Sequence, residues 1–468
     1  MKKLLEILIL IWVLNVVLYS EELCNQHVDD KNAYVACLQD KAAQSKSIED
    51  INFLAGIYVV HKDYDKAIDT YQQSASQGNA KAMYYLGGIY EEEKKDYQEA
   101  VKWFKKAADK NYKDAMCKVG DVYEDDLNQS NKALAYFESK IKKGSIQASV
   151  CKGNYYLHQR KFEEAKEAYL KGANKDRFKN WFRNESDLDK KERAEANYHL
   201  GSLYSAYLKD DDKAISYYKK AAKQHHIKSI HNLGVRYEAK AEYKEALKWY
   251  RISSKAGNNR SLLNIAHVYR KQKEWDKAEE AFIELTEERG DSEGYRNLGL
   301  MYKKEFDNEV EAKKWFLKAY KLGNGSAAIN IGILYEDKKE YTEAISWYRK
   351  GISLGEPESA HYLASLYEEK LKDYPKAIKW YLKAYEMGGG KHAFNFGYFY
   401  THTLKDYKKA IKWYVIAFNE GFDSGLNLGT LYRKKLKNQE KAIYWYKKSA
   451  ALGEQRAVRI LKEMGVEQ

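Results

Sequence analysis

The chain has 468 residues with only two prolines, and its 81 basic against 68 acidic residues leave a formal net charge of +13 at pH 7. So few prolines, and no long polar linker, exclude a string of domains on flexible tethers and suit one continuous helical array. The charge is spread along the chain, which favours acidic partners or an anionic membrane surface and says no more than that.

The first element is a targeting segment. Lys2 and Lys3 precede an apolar run from Leu4 to Tyr19 that only Glu6 and Asn15 interrupt. That length suits the core of a signal peptide better than a bilayer span, which needs about twenty apolar residues. Ser20 is small, as a cleavage site requires, but Leu18 is not. Residues 1–20 therefore read as a signal peptide or an uncleaved N-terminal anchor, and the chain as secreted or periplasmic. A lipoprotein reading through Cys24 has a poor lipobox in Glu21-Glu22-Leu23. Residues 21–47 read as an N-terminal helical cap. Export permits disulfides: Cys24 with Cys37 as a staple of the cap, Cys117 with Cys151 between neighbouring repeats. Two small buried thiols are the alternative for the second pair.

From residue 48 to 465 one pattern recurs about every thirty-three residues, and a period of that kind means stacked hairpins. A small residue stands in the first helix as Gly87, Gly120, Gly153, Gly201, Gly234, Gly299, Gly332, Gly397 and Gly429, with Ala55, Ala266 and Ala364 in the same slot. A tyrosine follows three positions on, from Tyr58 to Tyr432. A second small residue, as in Ala100, Ala246, Ala344 and Ala442, is followed four positions later by an aromatic: Phe104, Tyr250, Tyr348, Tyr446. Spacings of three and four make a helical stripe. The small residues let the two helices approach and the aromatics are expected to fill the space between hairpins. Gly257, Gly323, Gly355, Gly388, Gly421 and Gly453 are expected to end second helices in left-handed caps. The fold is therefore all-α: an α-α superhelix, or solenoid, of about twelve helix-turn-helix repeats whose core exists only because neighbours stack.

The G-x-x-Y, A-x-x-W-Y and terminal A-x-x-G elements resemble the Sel-one-like repeat family, a relative of tetratricopeptide repeats, over roughly residues 48–465. The turn departs from that pattern: where typical members carry a Gly-containing loop, this chain has short lysine-rich turns such as EEEKKDYQEA. An insert at 174–193 interrupts the array, basic and aromatic first and acidic later. Its Phe178, Trp181 and Phe182 read as a contact patch or as part of an extended helix on its own repeat. Arg456 to Met464 reads as a terminal capping helix ending at Gly465.

No Walker loop, zinc-protease helix, nucleophile elbow or dinucleotide turn is present, so no catalytic residue, cofactor or metal site is assigned. Ser216-x-x-Lys219 fits the S-x-x-K of β-lactam-recognising enzymes, but no S-D-N or K-T-G accompanies it, so a β-lactamase-like or cell-wall-active hydrolase is only the alternative. His225, His226 and His231 lie together without a placed carboxylate. Nucleic acid is not expected as a partner, because most aromatics occupy core positions. The sharper signal is a series two residues before the first-helix glycine: Asn232, Asn264, Asn297, Asn330, Asn395 and Asn427. In tetratricopeptide-like stacks this position faces the concave groove, and the series is similar to the asparagine ladders of a protein N-acetylglucosaminyltransferase and importin-α. A side-chain amide both donates and accepts, so it matches a peptide group without reading its side chain. The alternative is that these asparagines bond neighbouring helices. The expected function is an exported protein–protein interaction scaffold that binds an extended peptide or protein segment in that groove. A mixed-charge row beside it, including Glu91, Glu238, Arg270, Lys303, Glu336, Glu368 and Arg433, would select the ligand's charge.

Overall fold

The computed structural model describes Cys24 and residues 31–174 and 186–466. The signal segment at 1–20 and the aromatic part of the insert, with Phe178, Trp181 and Phe182, lie outside the described residues. Every described element is helical. The residues group into two compact units, divided between Ala256 and Gly257. The first holds the cap helix Lys31–Ser45 and six hairpins, from Ile48–Val60 with Tyr64–Ser76 to Ile227–Ala239 with Tyr243–Lys255. The second holds six more, from Asn259–Lys271 with Trp275–Glu287 to Gly425–Lys434 with Gln439–Ala451, and the capping helix Gln455–Glu463.

In nine of the twelve hairpins the first-helix glycine meets the second-helix aromatic of the same repeat, and Ala55, Ala266 and Ala364 take that slot in the other three. A Cβ on Gly332 would lie 2.5 Å from the Tyr348 ring, and one on Gly234 would lie 2.4 Å from that of Tyr250. The aromatic thus fills the space inside its own hairpin rather than between hairpins, because only a missing Cβ leaves room for a ring at that distance. Tyr348, Tyr250 and Phe104 are fully buried, each worth about 1.5–3 kcal/mol of hydrophobic stabilisation. Between repeats the approach uses the small residues instead: a Cβ on Gly351 would strike Ser359 Oγ of the next hairpin at 2.0 Å.

The turns within repeats are built the same way each time. Asp63, Asp96, Asp210, Asp373 and Asp406 precede second helices and accept a hydrogen bond from the backbone N–H three residues on, which satisfies one of the free amides of the first turn. Just before each cap stands a residue with positive φ that is not glycine, such as Lys62 (61°), Lys273 (60°), Lys339 (61°) and Lys405 (56°). Left-handed backbone costs such residues about 1–2 kcal/mol. Second helices end on left-handed Gly257, Gly323, Gly355, Gly421 and Gly453 as expected. Gly388 does not: it remains helical, and Gly389 takes the left-handed conformation at φ 66°. A Cβ on Gly388 would lie 2.3 Å from the buried His392 ring, so glycine is required there for space rather than for a left-handed backbone.

The two units differ in their irregularities. In the first, both cysteine pairs are disulfides, Cys24–Cys37 and Cys117–Cys151. The third repeat's first helix passes from α (Ala115–Asp121) to π (Val122–Asp126) geometry. The acidic part of the insert is helical and lengthens the fifth repeat's first helix to Asp187–Ala206, 20 residues against 13 for most others. Its added turns reach back to the third and fourth repeats, where Glu192 accepts from the backbone N–H of Gln147 and Lys113 pairs with Glu195.

Candidate protein-interaction surface

First helices of some consecutive repeats touch one another, as Ile146–His158 touches Asp187–Ala206 in the first unit and Gly325–Asp337 touches Pro357–Glu369 in the second, with no comparable approach between second helices among the described residues. The first helices therefore form the inner row of each stack, and the asparagine series lies along it.

The six asparagines are not equivalent. Asn297 is buried, and its Nδ2 donates to the Glu293 carbonyl one turn back at 2.9 Å. Asn232 and Asn427 are hydrogen-bonded to the hydroxyls of Tyr218 and Tyr414. Asn264 and Asn395 are half-buried, and no hydrogen bond holds either side chain among the described residues. The Nδ2 of Asn330 is buried without a partner. Leaving such a donor unsatisfied costs about 1–3 kcal/mol. Three asparagines thus serve the stack, and three keep amide capacity in hand, all three of them in the second unit.

A second row runs beside them. In repeats six, nine and ten the second-helix tyrosine donates to the glutamate that follows the first-helix tyrosine: Tyr250 to Glu238 at 2.7 Å, Tyr348 to Glu336 at 2.7 Å, Tyr381 to Glu368 at 2.6 Å. Burial first, and the partner carboxylate second, push the phenols of Tyr348 and Tyr381 far up, so both remain donors. Where the ring is Phe282 or Phe316, the matching first-helix residues are Arg270 and Lys303, which pair with Glu305 at 3.5 Å and Asp337 at 2.8 Å. Elsewhere in the row, Glu91 pairs with Lys118 at 2.9 Å and Glu124 accepts from Tyr155 at 2.8 Å. Sequence reasoning placed these charges on the groove and missed that the hydroxyls anchor them. The available signal was that tyrosine accompanies glutamate and phenylalanine accompanies a cation in repeats six to ten.

The remaining sequence candidates do not converge. His226 caps its helix by accepting at Nδ1 from the Ser229 backbone N–H at 3.3 Å, with the Ser229 hydroxyl 2.9 Å away, and turns Nε2 toward Glu195 at 3.5 Å. His231 lies against the Tyr250 ring, and His225 is exposed in the turn. The hydrogen bonds from His199 and His226, with the nearby Lys113, hold Glu195 far below the usual carboxylate range. Ser216 is exposed, and the ammonium of Lys219 sits 5.4 Å from the centre of the Tyr237 ring. No group of metal-ligating side chains gathers among the described residues, and no described helix is long and apolar enough to cross a membrane.

Two cavities adjoin the inner rows. One in the first unit, of about 200 Å³, lies between Tyr112, Met116, Gln147 and the added turns at Leu188. One in the second unit, of about 310 Å³, lies against Asn427, Thr430 and Tyr414.

Comparison with known proteins agrees with this architecture. The Sel1 repeat model matches residues 52–79, 80–112, 194–226, 228–258, 292–324, 357–389, 393–422 and 426–454, more than half of the chain. Two tetratricopeptide repeat models match 261–293 and 326–354. No curated protein matches. Among solved structures, the chain is similar to a Sel1 repeat protein from Oxalobacter formigenes, at 21% identity, covering 50% of this chain and 96% of that one, with a TM-score of 0.32. Yeast Tom70 is similar at 14% identity, covering 93% of this chain and 99% of that one, with a TM-score of 0.42. The human IFIT1 dimer with PPP-AAAA is similar at 16% identity, covering 80% and 91%, with a TM-score of 0.34. Repeats of this kind build protein–protein interaction scaffolds. Eight matched repeats, six of them closed by a ring on a glycine and two with Ala55 or Ala364 in that slot, make this chain a member of the Sel1 repeat family.

Proposed function

We propose that the protein is an exported scaffold that holds an extended segment of a partner protein along the inner row of the second unit, with Asn264, Asn330 and Asn395 giving amide contacts to the partner's backbone. The observation that carries this reading is that Asn264 and Asn395, in the same slot of different first helices, are only half-buried and have no hydrogen bond on either side chain among the described residues, so a partner's backbone can reach their amides. An amide contact is worth about 0.5–1.5 kcal/mol net, so several act together, and Asn264 and Asn395 supply the repetition. Asn232, Asn297 and Asn427 support the row through their internal bonds. Export is supported by the apolar N-terminal run and by two disulfides, which persist in oxidising compartments.

The test is capture of partners from an envelope extract by residues 21–468 and by a variant with Asn264, Asn330 and Asn395 changed to Ala, after circular dichroism has shown equal helicity. A partner retained by the wild type and lost by the variant is the expected result. Equal capture by both would assign the asparagines to the stack alone. The hydrolase alternative has no support in the placement of Ser216, and absence of nitrocefin turnover is the expected outcome of that assay.

A further inference from the structure

The second unit's inner row changes charge along its length. Arg270 and Lys303 at its start are neutralised in ion pairs. Next come Glu336 and Glu368, which accept only hydroxyl hydrogen bonds, from Tyr348 and from Tyr381 and Thr403, and have no cationic partner among the described residues. The following repeat carries Thr401 in the glutamate position, where it faces the Tyr414 hydroxyl. There the 310 Å³ cavity opens, with Asn427 and Thr430 on its floor and Lys434, Lys435 and Arg456 at its edge. No carboxylate lines it. The three cations are exposed and form no ion pair among the described residues.

We infer that this cavity is an anion subsite for a partner segment whose own charge reverses: a carboxylate side chain seated between Lys434, Lys435 and Arg456, and basic residues over Glu368 and Glu336. The inference rests on the reading of the inner row as a peptide-binding surface and deepens it. A peptide is favoured over a nucleic acid because a peptide can change sign along its length, whereas a polyphosphate entering the cavity would run out over two carboxylates. The spacing is also compatible. Neighbouring helices pack about 8–10 Å apart, and an extended chain advances about 3.3 Å per residue, so one repeat corresponds to about three partner residues. The neutral Thr401 separates the two signs.

The test uses the full chain and a fluorescein-labelled peptide with two glutamates at one end and two lysines, three residues apart, toward the other, read by fluorescence anisotropy at low salt. Changing Lys434, Lys435 and Arg456 to Gln is expected to weaken binding at least tenfold. Changing Glu336 and Glu368 to Gln is expected to weaken the same peptide but not an all-glutamate one. Lys434, Lys435 and Arg456 are exposed and Glu336 and Glu368 half-buried, so both variants are first required to show wild-type helicity by circular dichroism. Unchanged affinity in the triple variant, or no binding by the wild type, would overturn the subsite. An oligouridylate of equal length that competes as well as the peptide would overturn the peptide assignment. Either failure leaves the partner-capture experiment standing, because Asn264, Asn330 and Asn395 are untouched.

Discussion

The two units share one repeat and use it differently. The first, through Ala256, concentrates the departures: two disulfides, a π turn in the third repeat and an extended helix reaching across the third and fourth. Its inner row carries one member of the asparagine series, Asn232, engaged by Tyr218. The second unit has no disulfide, keeps most helices at 13 residues and carries the other five asparagines. On the proposed function, the difference teaches that a binding row needs regular repeats. A ladder of amides matches the even spacing of a peptide backbone only where the repeats are even, while covalent and helical reinforcement belongs where they are not.

The comparison can be broken most strongly at the covalent links. Changing Cys117 and Cys151 to Ser removes a bridge across 34 residues of chain, and loop-closure entropy sets its value at about 4 kcal/mol. Hydrogen exchange followed region by region should show faster opening of the third and fourth repeats, with residues 257–466 unaffected. Equal loosening of both units would mean that they unfold together.

Acid acts on the other unit. His361 and the buried His392 face each other with ring centroids 6.1 Å apart, near Lys391, Glu358 and the Tyr381 ring. Burial first, then His392 and Lys391, lowers His361 to about 4, and burial lowers His392 as well. The folded state therefore holds His361 neutral where the unfolded chain, near 6.5, already takes a proton. Stability is full above pH 6.5 and falls as the pH drops from 6.5 toward 4, by on the order of 3 kcal/mol for His361. Amides of the tenth and eleventh repeats should lose protection over that window, and His361→Gln should remove much of the dependence.

Packing at the glycines sharpens the comparison within a single helix. Gly87 lies under Phe104, whose ring a Cβ would meet at 2.6 Å, whereas a Cβ on the adjacent Gly88 meets nothing within 4 Å. Gly87→Ala should cost about 1–3 kcal/mol, and Gly88→Ala should add about 0.5–1 kcal/mol, both measured by urea unfolding. Gly332→Ala in the second unit should behave as Gly87→Ala does. The smallest effect is expected in the turns: Lys339→Gly relieves a left-handed backbone at φ 61°, and should stabilise its repeat by up to about 1 kcal/mol.

The repeat was legible because the residues that close a hairpin are close in sequence, and a glycine under a ring permits few alternatives. The neighbours of Cys117 and Cys151 were legible as a consequence of that register. The lysines with positive φ were not, because turn length imposes the conformation against the residue's own preference. Nor was the helix end at Gly389 rather than Gly388 legible, since two adjacent glycines offer the same local signal. Among the site residues, position along the row was legible and availability was not: Asn297 and Asn330 occupy the same slot, yet one is tied to Glu293 and the other has an unpartnered Nδ2. The tyrosine hydroxyls that anchor Glu336 and Glu368 looked like core residues, and they are core residues whose tips reach the groove.

The most direct test of the central claim is site-specific photo-cross-linking. A benzophenone side chain placed at Asn395 on the inner row, and separately at the exposed Leu382 on a second helix, reports which face a captured partner touches. Cross-links from position 395 and none from 382 are the predicted result. Cross-links from 382 with none from 395 would place the partner on the second helices and contradict the account.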